Sequence, residues 1–421
     1  MGIAGCFQYN FFFCKEKTMK PLENIKVVEL GTHVAAPVAS RIMSEWGADV
    51  IKLETTKGES YRTVGRAWKV PTTEDNAPIL QTHNGNKRSL SLNLKDPEGK
   101  EALLKLLETT DVFITNTRPH ALERLGIDYE SVKARCPKLI YALFTAYGLE
   151  GPDQDAPGFD TAAYWGRGGM LLDWTAAEYT PFRAHPGFGD ATVASAMLAG
   201  IMAALFRRAT TGEGDFVTGS LYGSALWYNF HGLVESQYPG HDVPVSRYAV
   251  SQPSAPMYKC ADRYFFIVEQ QYDAKFPEFF RKIGLSEIAD DPKFVTVAES
   301  RKHMKEVVEY LDEKYASIPY AVIDKACSEL NMVHSHVASC AEAVNDPQAW
   351  ANDYLRKITL ENGDELTIPA PPVSFGSFKP DAATLAPHLG ADSREILLSL
   401  GYSNEQIDAM RDAGTVNTHE G

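Results

Sequence analysis

One carboxylate beside two glycines stands at the head of a long apolar run, where the residue types and spacing could hold an ionised group against a second molecule. Asp190 follows Gly187 and Gly189, which lack a Cβ and would let a second molecule approach, and it precedes an apolar run at 191–206. The length and the Ala, Met and Leu content of this run predict a buried helix that begins near Asp190. Unpaired N–H groups and the helix dipole favour negative charge there, so we expect the carboxylate to be ionised at neutral pH. On this stretch alone, a simple helix N-cap is the better interpretation.

Alternating strand and helix patterns fill the first 150 residues and place turns where ligands bind. Residues 25–30 and 49–54 are β-rich and flank a helical pattern at 35–46, which predicts a βαβ unit with a right-handed crossover. Further elements are predicted as strands at 90–94, 111–115 and 139–145 and as a helix at 97–110. The fold class is therefore α/β, with a doubly wound, Rossmann-like large domain. The turn at 31–34 lacks G-x-G-x-x-G, so we predict no dinucleotide site.

A change of composition after Tyr238 indicates a second domain. Residues 239–256 are extended and rich in Pro and Ser, and the pattern of a hairpin follows at 257–270. Other predicted elements are helices at 220–236, 275–283 and 299–316, a hairpin at 358–368 and two short helices within 393–413. We predict five segments: an N-terminal extension (1–18) before a natural start at Met19, a large α/β domain (19–238), a linker (239–250), a smaller α+β domain (251–335) and a C-terminal return to the large domain (336–421).

The bulk composition argues against several classes of partner. A net charge of −14 disfavours nucleic acid and anionic membranes. The six cysteines form no C-x-x-C pair and no zinc-site spacing, which favours a reduced, cytoplasmic compartment. No apolar run reaches the roughly 18 residues of a membrane span. Lys87 and Arg88 are expected in a solvated turn, and His334 and His336 in a surface helix or loop.

Several motifs together resemble the class III CoA-transferases, a family that includes formyl-CoA, crotonobetainyl-CoA and aryl-lactate CoA-transferases. The resemblance covers residues 21–416 and rests on VVELGTHVAAPVASRIMSEWGADVIKLE (27–54), NKRSLSLNLKDPEG (86–99), NTRPHALERLG (116–126), the Gly187 to Asp190 stretch, and the C-terminal LG (389–390) and LSLGY (398–402). PGFDTAAYWGRGG (157–169) and QAWANDYL (348–355) are similar to the 2-hydroxyacid subgroup of that family.

The resemblance implies that Asp190 is the nucleophile and that coenzyme A enters as an acyl-CoA substrate, with no tightly bound cofactor and no metal. Asp190 would attack the thioester to form a mixed anhydride and then carry CoA as an aspartyl thioester, with backbone N–H groups near Gly189 stabilising the oxyanion. Arg124 and Lys95 are the predicted phosphate partners, with exposed salt bridges as the alternative. The implied CoA contacts are Val34, Ala35, Leu92, Asn93, Leu94, Lys95, Asn116, Thr117, Arg118, Arg124, Thr145, Ala146, Tyr147 and Gly148.

The same resemblance implies a 2-hydroxy acid acceptor such as (R)-phenyllactate or (R)-2-hydroxyisocaproate. Thr55, where the formyl-CoA branch has arginine, and the lack of a glycine run in 239–256 disfavour oxalate and formate. The aromatic residues expected to form either an apolar acid pocket or ordinary core are Phe159, Tyr164, Trp165 and Trp174.

Three alternatives stay open. They are transfer to another acid (carnitine-like, bile acid or dicarboxylate), an acyl-CoA racemase, and a non-catalytic CoA-binding subunit. Phe159 disfavours the racemase, because that branch has histidine at this position. Family members form interlocked, ring-like homodimers, and the 2-hydroxyacid subgroup serves amino-acid fermentation. We therefore expect a homodimer and a functional link to a 2-hydroxyacyl-CoA dehydratase.

Overall fold

The computed structural model of the chain describes residues 19–73, 76–241 and 243–419. The predicted extension, 1–18, lies outside the described residues. The strands, in chain order, are β1 (Lys26–Leu30), β2 (Asp49–Glu54), β3 (Arg88–Ser91), β4 (Val112–Thr115), β5 (Ile140–Thr145), β6 (Asp215–Ser220), β7 (Tyr258–Lys259), β8 (Tyr264–Val268), β9 (Val333–His336), β10 (Leu355–Thr359) and β11 (Glu365–Pro369).

Helices lie between most of these strands. In chain order they are α1 (Ala35–Glu45), α2 (Pro78–Asn84), α3 (Pro97–Leu107), α4 (Pro119–Leu125), α5 (Tyr129–Lys133), α6 (Met170–Asp173), α7 (Phe188–Thr211), α8 (Leu221–Tyr228), α9 (Phe230–Glu235), α10 (Tyr272–Lys282), α11 (Pro292–Val295), α12 (Val297–Ser300), α13 (Met304–Tyr315), α14 (Tyr320–Glu329), α15 (Cys340–Ala343), α16 (Pro347–Ala351), α17 (Ser393–Ser399) and α18 (Asn404–Asp412). Shorter 3₁₀ turns lie at Ser60–Arg62, Val64–Trp68 and Arg301–His303, and a π-type turn at Asp160–Gly166.

The chain divides into two compact units. The first comprises the described residues up to Gly168, His185–Tyr228 and those from Pro347 onward, and the second comprises Gly169–Ala184 and the described part of Asn229–Asp346. Within the described residues, the second unit holds a three-stranded antiparallel sheet in the order β7-β8-β9. Its core is rich in aromatic side chains, including Phe276 and Phe280, which are at most 1% exposed.

The first unit contains a fully parallel sheet, which confirms the doubly wound α/β prediction. Among the described residues, six strands form this sheet in the order β3-β2-β1-β4-β5-β6. The strand order reverses between β1 and β4, where Val27 is in register with Val50 on one side and Val112 on the other. Strands β2 and β4 are almost entirely buried, as expected of a sheet covered by helices on both faces. The reversal leaves a crevice beyond the carboxyl ends of β1 and β4, which is where such sheets bind ligands.

The sequence analysis did not predict two of the strands. Strand β6 joins β5 at the sheet edge, although the pattern had indicated only a turn followed by a helix at 220–236. Its residues are only partly buried and include Asp215 and Gly219, so the run lacks a β signature. Strand β9 pairs with β8 and carries His334 and His336, which corrects their placement in a helix or loop. The hairpins at 257–270 and 358–368 are confirmed by the pairs β7–β8 and β10–β11.

Helix α7 corrects the expectation that no segment is long enough to span a membrane. It has 24 residues, and an 18-residue window has a mean hydropathy of 1.5, so by length and composition alone it could cross a bilayer. Here it packs against β5, β6 and α1 in the helical layer over the sheet. The core helices of α/β domains meet the same criterion of length and hydropathy, and α7 lies in the layer of helices that covers the sheet in such domains.

Candidate active site

Asp190 lies in the first turn of α7, but it does not cap the helix. Gly187 is the N-cap, with a φ of 98° that favours glycine, and Asp190 is the third helical residue. The capping carboxylate is Asp160. Its Oδ2 accepts the N–H of Gly187, and its Oδ1 accepts the N–H of Gly189 at 3.0 Å. The N-cap interpretation of Asp190 is therefore wrong.

The same contacts change the role that we infer for Gly189. A Cβ built on Gly189 would lie 2.3 Å from Oδ1 of Asp160 and 2.3 Å from Cγ of Tyr164. Glycine is needed here so that the buried Asp160 and Tyr164 can pack against the start of α7, not to admit a substrate. The N–H of Gly189 itself already donates to Asp160, so an oxyanion donor near this position stays a prediction for the neighbouring N–H groups.

The environment of Asp190 raises the pKa of its carboxyl group to about 7. Burial is the larger cause, and the negative charge of Asp160 adds to it. No group among the described residues donates a hydrogen bond to the Asp190 carboxylate, because the N–H groups at the helix start already bind Asp160. The expectation of a fully ionised carboxylate at neutral pH is therefore wrong.

Asp190 faces a cleft of about 250 Å³ at the carboxyl ends of β1, β4 and β5. A reciprocal pair of hydrogen bonds fixes two of the loops that form it: the N–H of Thr32 donates to Asn116 Oδ1 at 3.0 Å, and Asn116 Nδ2 donates to the carbonyl of Thr32 at 2.8 Å. The predicted CoA contacts that line this cleft together with Asp190 are Ala35, Asn116, Arg118, Thr145 and Ala146. The loop 154–159, which precedes the capping Asp160, forms another wall.

Three other predicted contacts adjoin this group along the chain. The N–H groups of Thr117 and Gly148 donate to the hydroxyls of Thr115 and Thr145, at 3.1 and 3.0 Å. The ring of Tyr147 lies 5.1 Å from the guanidinium carbon of Arg167.

The remaining predicted contacts lie in the segment that follows β3, on α4 or in a neighbouring cleft. Leu92 is buried and bridges to Val416, and Asn93, Leu94 and Lys95 follow it. Val34 lines a second cleft, described below. Lys95, Arg118 and Arg124 are exposed, and within the described ranges none of the three forms an ion pair with a carboxylate. The salt-bridge alternative for Lys95 and Arg124 is therefore not realised.

A buried cluster of charges supports the loop that follows β1. Lys52 Nζ lies 3.1 Å from Glu29 Oε1 and 2.7 Å from Glu59 Oε1, and it donates to the carbonyl of Gly31 at 3.1 Å. Glu59 Oε2 accepts the N–H of His33 at 2.8 Å, and His33 has a φ of 64°. Charged side chains thus hold both sides of a strained turn that lines the Asp190 cleft.

Lys87 belongs to this cluster, which corrects its placement in a solvated turn. Its side chain has no exposed surface, and its Nζ lies 2.7 Å from Glu29 Oε2 and donates to Asn84 Oδ1 at 2.9 Å. Burial lowers the pKa of Lys87 to about 8, against the opposing attraction of Glu29. Burial raises the pKa of Glu29, but Lys52 and Lys87 outweigh it and the net pKa is lowered.

A second cleft of about 360 Å³ lies beside the first and was not predicted. Aromatic rings line it: Tyr61 lies 6.1 Å from Trp68 and 5.6 Å from His83, centroid to centroid. Burial, then the charge of Asp190, raises the pKa of Tyr61 to about 12. Burial, then Lys87, lowers the pKa of His83 to about 3. These residues come from distant segments, so no sequence spacing signals the cleft.

The aromatic residues proposed for an acid pocket separate into different environments. Phe159 is 66% exposed and lines the Asp190 cleft. Tyr164 and Trp165 are buried and pack against the ring of Phe188, so the core alternative holds for them. Trp174 belongs to the second compact unit.

Metal ligands are not grouped in the described part of the chain. Within residues 19–73, 76–241 and 243–419, no cluster of three or more His, Cys, Asp or Glu side chains could hold a metal ion.

Comparisons with known proteins place the chain in a family. CoA-transferase family III matches residues 22–393. The chain is 35% identical over 396 residues to (R)-2-hydroxy-4-methylpentanoate CoA-transferase of Clostridioides difficile, covering 94% of this chain and 99% of that protein. It is 30% identical over 399 residues to cinnamoyl-CoA:phenyllactate CoA-transferase of Clostridium sporogenes, covering 94% and 97%. The crystal structure of a CAIB/BAIF family protein from Brucella suis superimposes with a TM-score of 0.80 at 26% identity, covering 91% of this chain and all of that one. The chain therefore belongs to CoA-transferase family III and is a CoA-transferase.

Proposed function

We propose that the protein moves CoA from an acyl-CoA to a 2-hydroxy carboxylic acid, such as (R)-2-hydroxyisocaproate or (R)-phenyllactate, through covalent intermediates on Asp190. The observation that carries this proposal is a half-buried carboxylate, with no hydrogen-bond donor among the described residues, in the cleft that several of the predicted CoA contacts line. The names of the two relatives above support the acid class. Phe159 in the cleft wall supports transfer rather than racemisation.

The proposed reaction is a series of acyl transfers to and from the Asp190 carboxylate. Its oxygen attacks the thioester carbonyl, the C–S bond breaks, and a mixed anhydride and CoA thiolate form. The thiolate attacks the Asp190 acyl carbon, releases the donor acid as its carboxylate, and leaves an aspartyl-CoA thioester. The acceptor carboxylate attacks this thioester and expels the thiolate again, and the thiolate then takes the acyl group of the acceptor. Asp190 is regenerated as a carboxylate.

Desolvation prepares Asp190 for the first of these steps. A carboxylate without hydrogen-bond donors does not have to lose them before it attacks, and its raised pKa indicates a more basic oxygen. The cost is that about half of the molecules carry a protonated Asp190 at pH 7. The bound thiolate must stay in place throughout, and positioning of this kind can lower a barrier by about 7–11 kcal/mol.

Three exposed cations suit the phosphates of CoA, and one of them, Arg118, lines the Asp190 cleft. Lys95, Arg118 and Arg124 are exposed, and the described residues offer them no carboxylate partner. Guanidinium and ammonium groups without an internal partner are available for charge-assisted hydrogen bonds to phosphate oxygens. We propose them, with the other predicted contacts of the Asp190 cleft, as the CoA site.

We further propose a cytoplasmic, interlocked homodimer that works beside a 2-hydroxyacyl-CoA dehydratase in amino-acid fermentation. Exposed apolar side chains on the first unit support self-association, because Phe206 on α7 is 77% exposed and Trp227 on α8 is 74% exposed. The dehydratase link follows from the product, a 2-hydroxyacyl-CoA, which a dehydratase of that class would consume. Light scattering behind size-exclusion chromatography should give twice the mass of the chain, and a monomer at micromolar concentration would contradict the dimer.

The function is tested by comparing the wild type with Asp190→Asn. Transfer from cinnamoyl-CoA or isocaprenoyl-CoA to 2-hydroxy acids is followed by mass spectrometry of the CoA products. Intact-protein mass spectra should show a wild-type adduct equal to CoA minus water when acyl-CoA is added without acceptor. The variant should form neither adduct nor product. Asp155→Asn, which removes an exposed carboxylate from the same cleft, is the matched control and should keep both. Full transfer by Asp190→Asn would refute the mechanism.

A further inference from the structure

Two clefts of different chemistry lie on either side of the β1–α1 loop and the start of α7. The loop between β1 and α1 contributes to both: Val34 lines the apolar cleft, whereas its two neighbours in the chain line the Asp190 cleft. Helix α7 does the same, because Gly187 and Ala191 line the apolar cleft and Asp190 faces the other. A group attached to the Asp190 carboxylate could therefore extend into the apolar cleft while CoA occupies the first.

The imidazole of His33 marks the division between the clefts. Its ring centroid lies 5.5 Å from that of Tyr61, which lines the apolar cleft, and 5.2 Å from that of Phe159, which lines the Asp190 cleft. The negative charge of Asp190 contributes, after burial, to the raised pKa of Tyr61, which links Asp190 electrostatically to the lining of the apolar cleft. All of these residues belong to the first compact unit.

The apolar cleft suits an uncharged side chain. Its lining includes Val38 and Ile42 from α1, Ile79 from α2, and the aromatic rings of Tyr61 and Trp68.

The only guanidinium in the described lining is already engaged. Arg41 donates from Nε to Glu45 at 3.0 Å, from Nη2 to the carbonyl of Pro369 at 2.9 Å, and from Nη1 to the carbonyl of Thr82. A dicarboxylate would find no free cation on Arg41, and the described lining contains no Asp or Glu that could pair with a carnitine-like cation. A branched aliphatic or aromatic group would find apolar surface.

The size of the cleft agrees with that chemistry. A dry apolar cavity of about 150 Å³ is enough to hold benzene. The cleft measures about 360 Å³, so it has room for an isobutyl or a benzyl group together with the carbons that link it to the carboxylate.

We propose that this apolar cleft binds the side chain of the acceptor acid and, earlier in the cycle, the acyl group of the donor. This inference rests on the proposed function. In the proposed steps the donor acid is displaced from Asp190 before the acceptor carboxylate attacks, so one cleft beside Asp190 can serve both in turn. The protein should therefore prefer 2-hydroxy acids with branched or aromatic side chains over lactate, and its acyl-CoA donors should show the same preference. Each buried methylene contributes about fourfold, so isobutyl should exceed methyl by on the order of 50-fold in kcat/KM.

Filling the cleft tests the assignment. Val38→Phe and Ile79→Phe each add a ring to a half-buried side chain in the lining. Val322→Phe, at a partly exposed helical position in the second unit, is the matched control. The measured quantity is the ratio of kcat/KM for 2-hydroxyisocaproate or phenyllactate to that for lactate. A ratio of this kind is independent of the fraction of enzyme that is folded.

The ratio should fall at least tenfold in Val38→Phe and Ile79→Phe and stay at the wild-type value in Val322→Phe. The ratio of isocaprenoyl-CoA to acetyl-CoA as donors should fall in parallel. Acceptor and donor ratios that stay at the wild-type value in both cleft variants would overturn the assignment while leaving the proposed function intact. An acceptor ratio that falls without the donor ratio would overturn the shared cleft. A wild type that transfers CoA to no 2-hydroxy acid would instead overturn the proposed function, and the inference with it.

Discussion

Replacing Asp190 with asparagine should stabilise the protein at pH 8 even as it abolishes transfer. The folded protein raises the pKa of this carboxyl group from 3.8 to about 7. Between these values the unfolded chain has released the proton while the folded chain still holds it, so ionisation favours the unfolded state and stability falls as the pH rises. An amide carries no charge and avoids this loss.

The magnitude follows from the size of the shift. Three pKa units at about 1.4 kcal/mol each give about 4 kcal/mol when the group is fully ionised. Asp190 is partly exposed in its cleft, and hydration of the charged form reduces this to roughly 2 kcal/mol at pH 8. The advantage of the asparagine variant should fall below half of that value near pH 5 and vanish below about pH 3, where both states are protonated.

Urea unfolding at pH 5, 6, 7 and 8 measures this difference for the wild type, Asp190→Asn and Asp155→Asn. The free energy of unfolding of Asp190→Asn should exceed that of the wild type by an amount that grows up to about pH 7 and then stays constant. Asp155→Asn should follow the wild type, because Asp155 is exposed at the rim. An Asp190→Asn variant that is less stable than the wild type at pH 8 would show that Asp190 acts as a stabilising charge at a helix terminus, and the reasoning above would be refuted.

Further perturbations test the neighbouring charges. Because attack requires ionised Asp190, kcat/KM for acyl-CoA should rise about tenfold per pH unit up to about pH 7 and then level off; a flat profile from pH 5 to 8 would contradict this. Asp160→Asn removes the charge that adds to the effect of burial on the pKa of Asp190, so the midpoint of that profile should move to lower pH. The amide nitrogen cannot accept the second backbone N–H, so the unfolding free energy should fall by about 1 kcal/mol; an unmoved midpoint would exclude electrostatic coupling. Lys87→Met leaves the buried Glu29 with one partner fewer and should lower the free energy of unfolding in urea by about 3 kcal/mol. Arg88→Met, on a side chain that is 32% exposed, should lower it by less than about 1 kcal/mol. Equal losses in the two variants would refute the buried pairing.

The parallel sheet was predictable because its central strands are short runs rich in Val, Ile, Leu and Phe with a turn signal near the end of each. Strands β1, β2, β4 and β5 lie within one residue of the expected bounds, and the charges that interrupt β1 and β2, Glu29 and Lys52, are buried as a pair rather than exposed. Strands β6 and β9 carry Asp, Gly and His and are held by pairing with a neighbour rather than by their own composition. A local sequence pattern does not predict a strand that is stabilised mainly by pairing with the edge of an existing sheet.

The burial of the charged residues could not be predicted for a related reason. Lys87 and Arg88 are adjacent and of the same charge, yet one is buried and the other is partly exposed. What separates them is Glu29, 58 residues earlier in the chain, which attracts Lys87 into the interior. The apolar cleft likewise combines α1, α2 and residues 369–372, segments that only the fold brings together.

The two aspartates at the start of α7 show what local sequence can and cannot establish about a catalytic carboxylate. Sequence reasoning predicts correctly that a carboxylate will occupy the N–H groups there, but Asp160, 27 residues before Gly187, takes them. Burial raises the pKa of both carboxyl groups, and in Asp160 the N–H donors of Gly187 and Gly189 oppose that rise. Asp190 has no such donor among the described residues and feels the charge of Asp160 as well, so its pKa reaches about 7. One aspartate thus caps the helix, and the other is left without those donors and with the raised pKa that the proposed attack on a thioester would use.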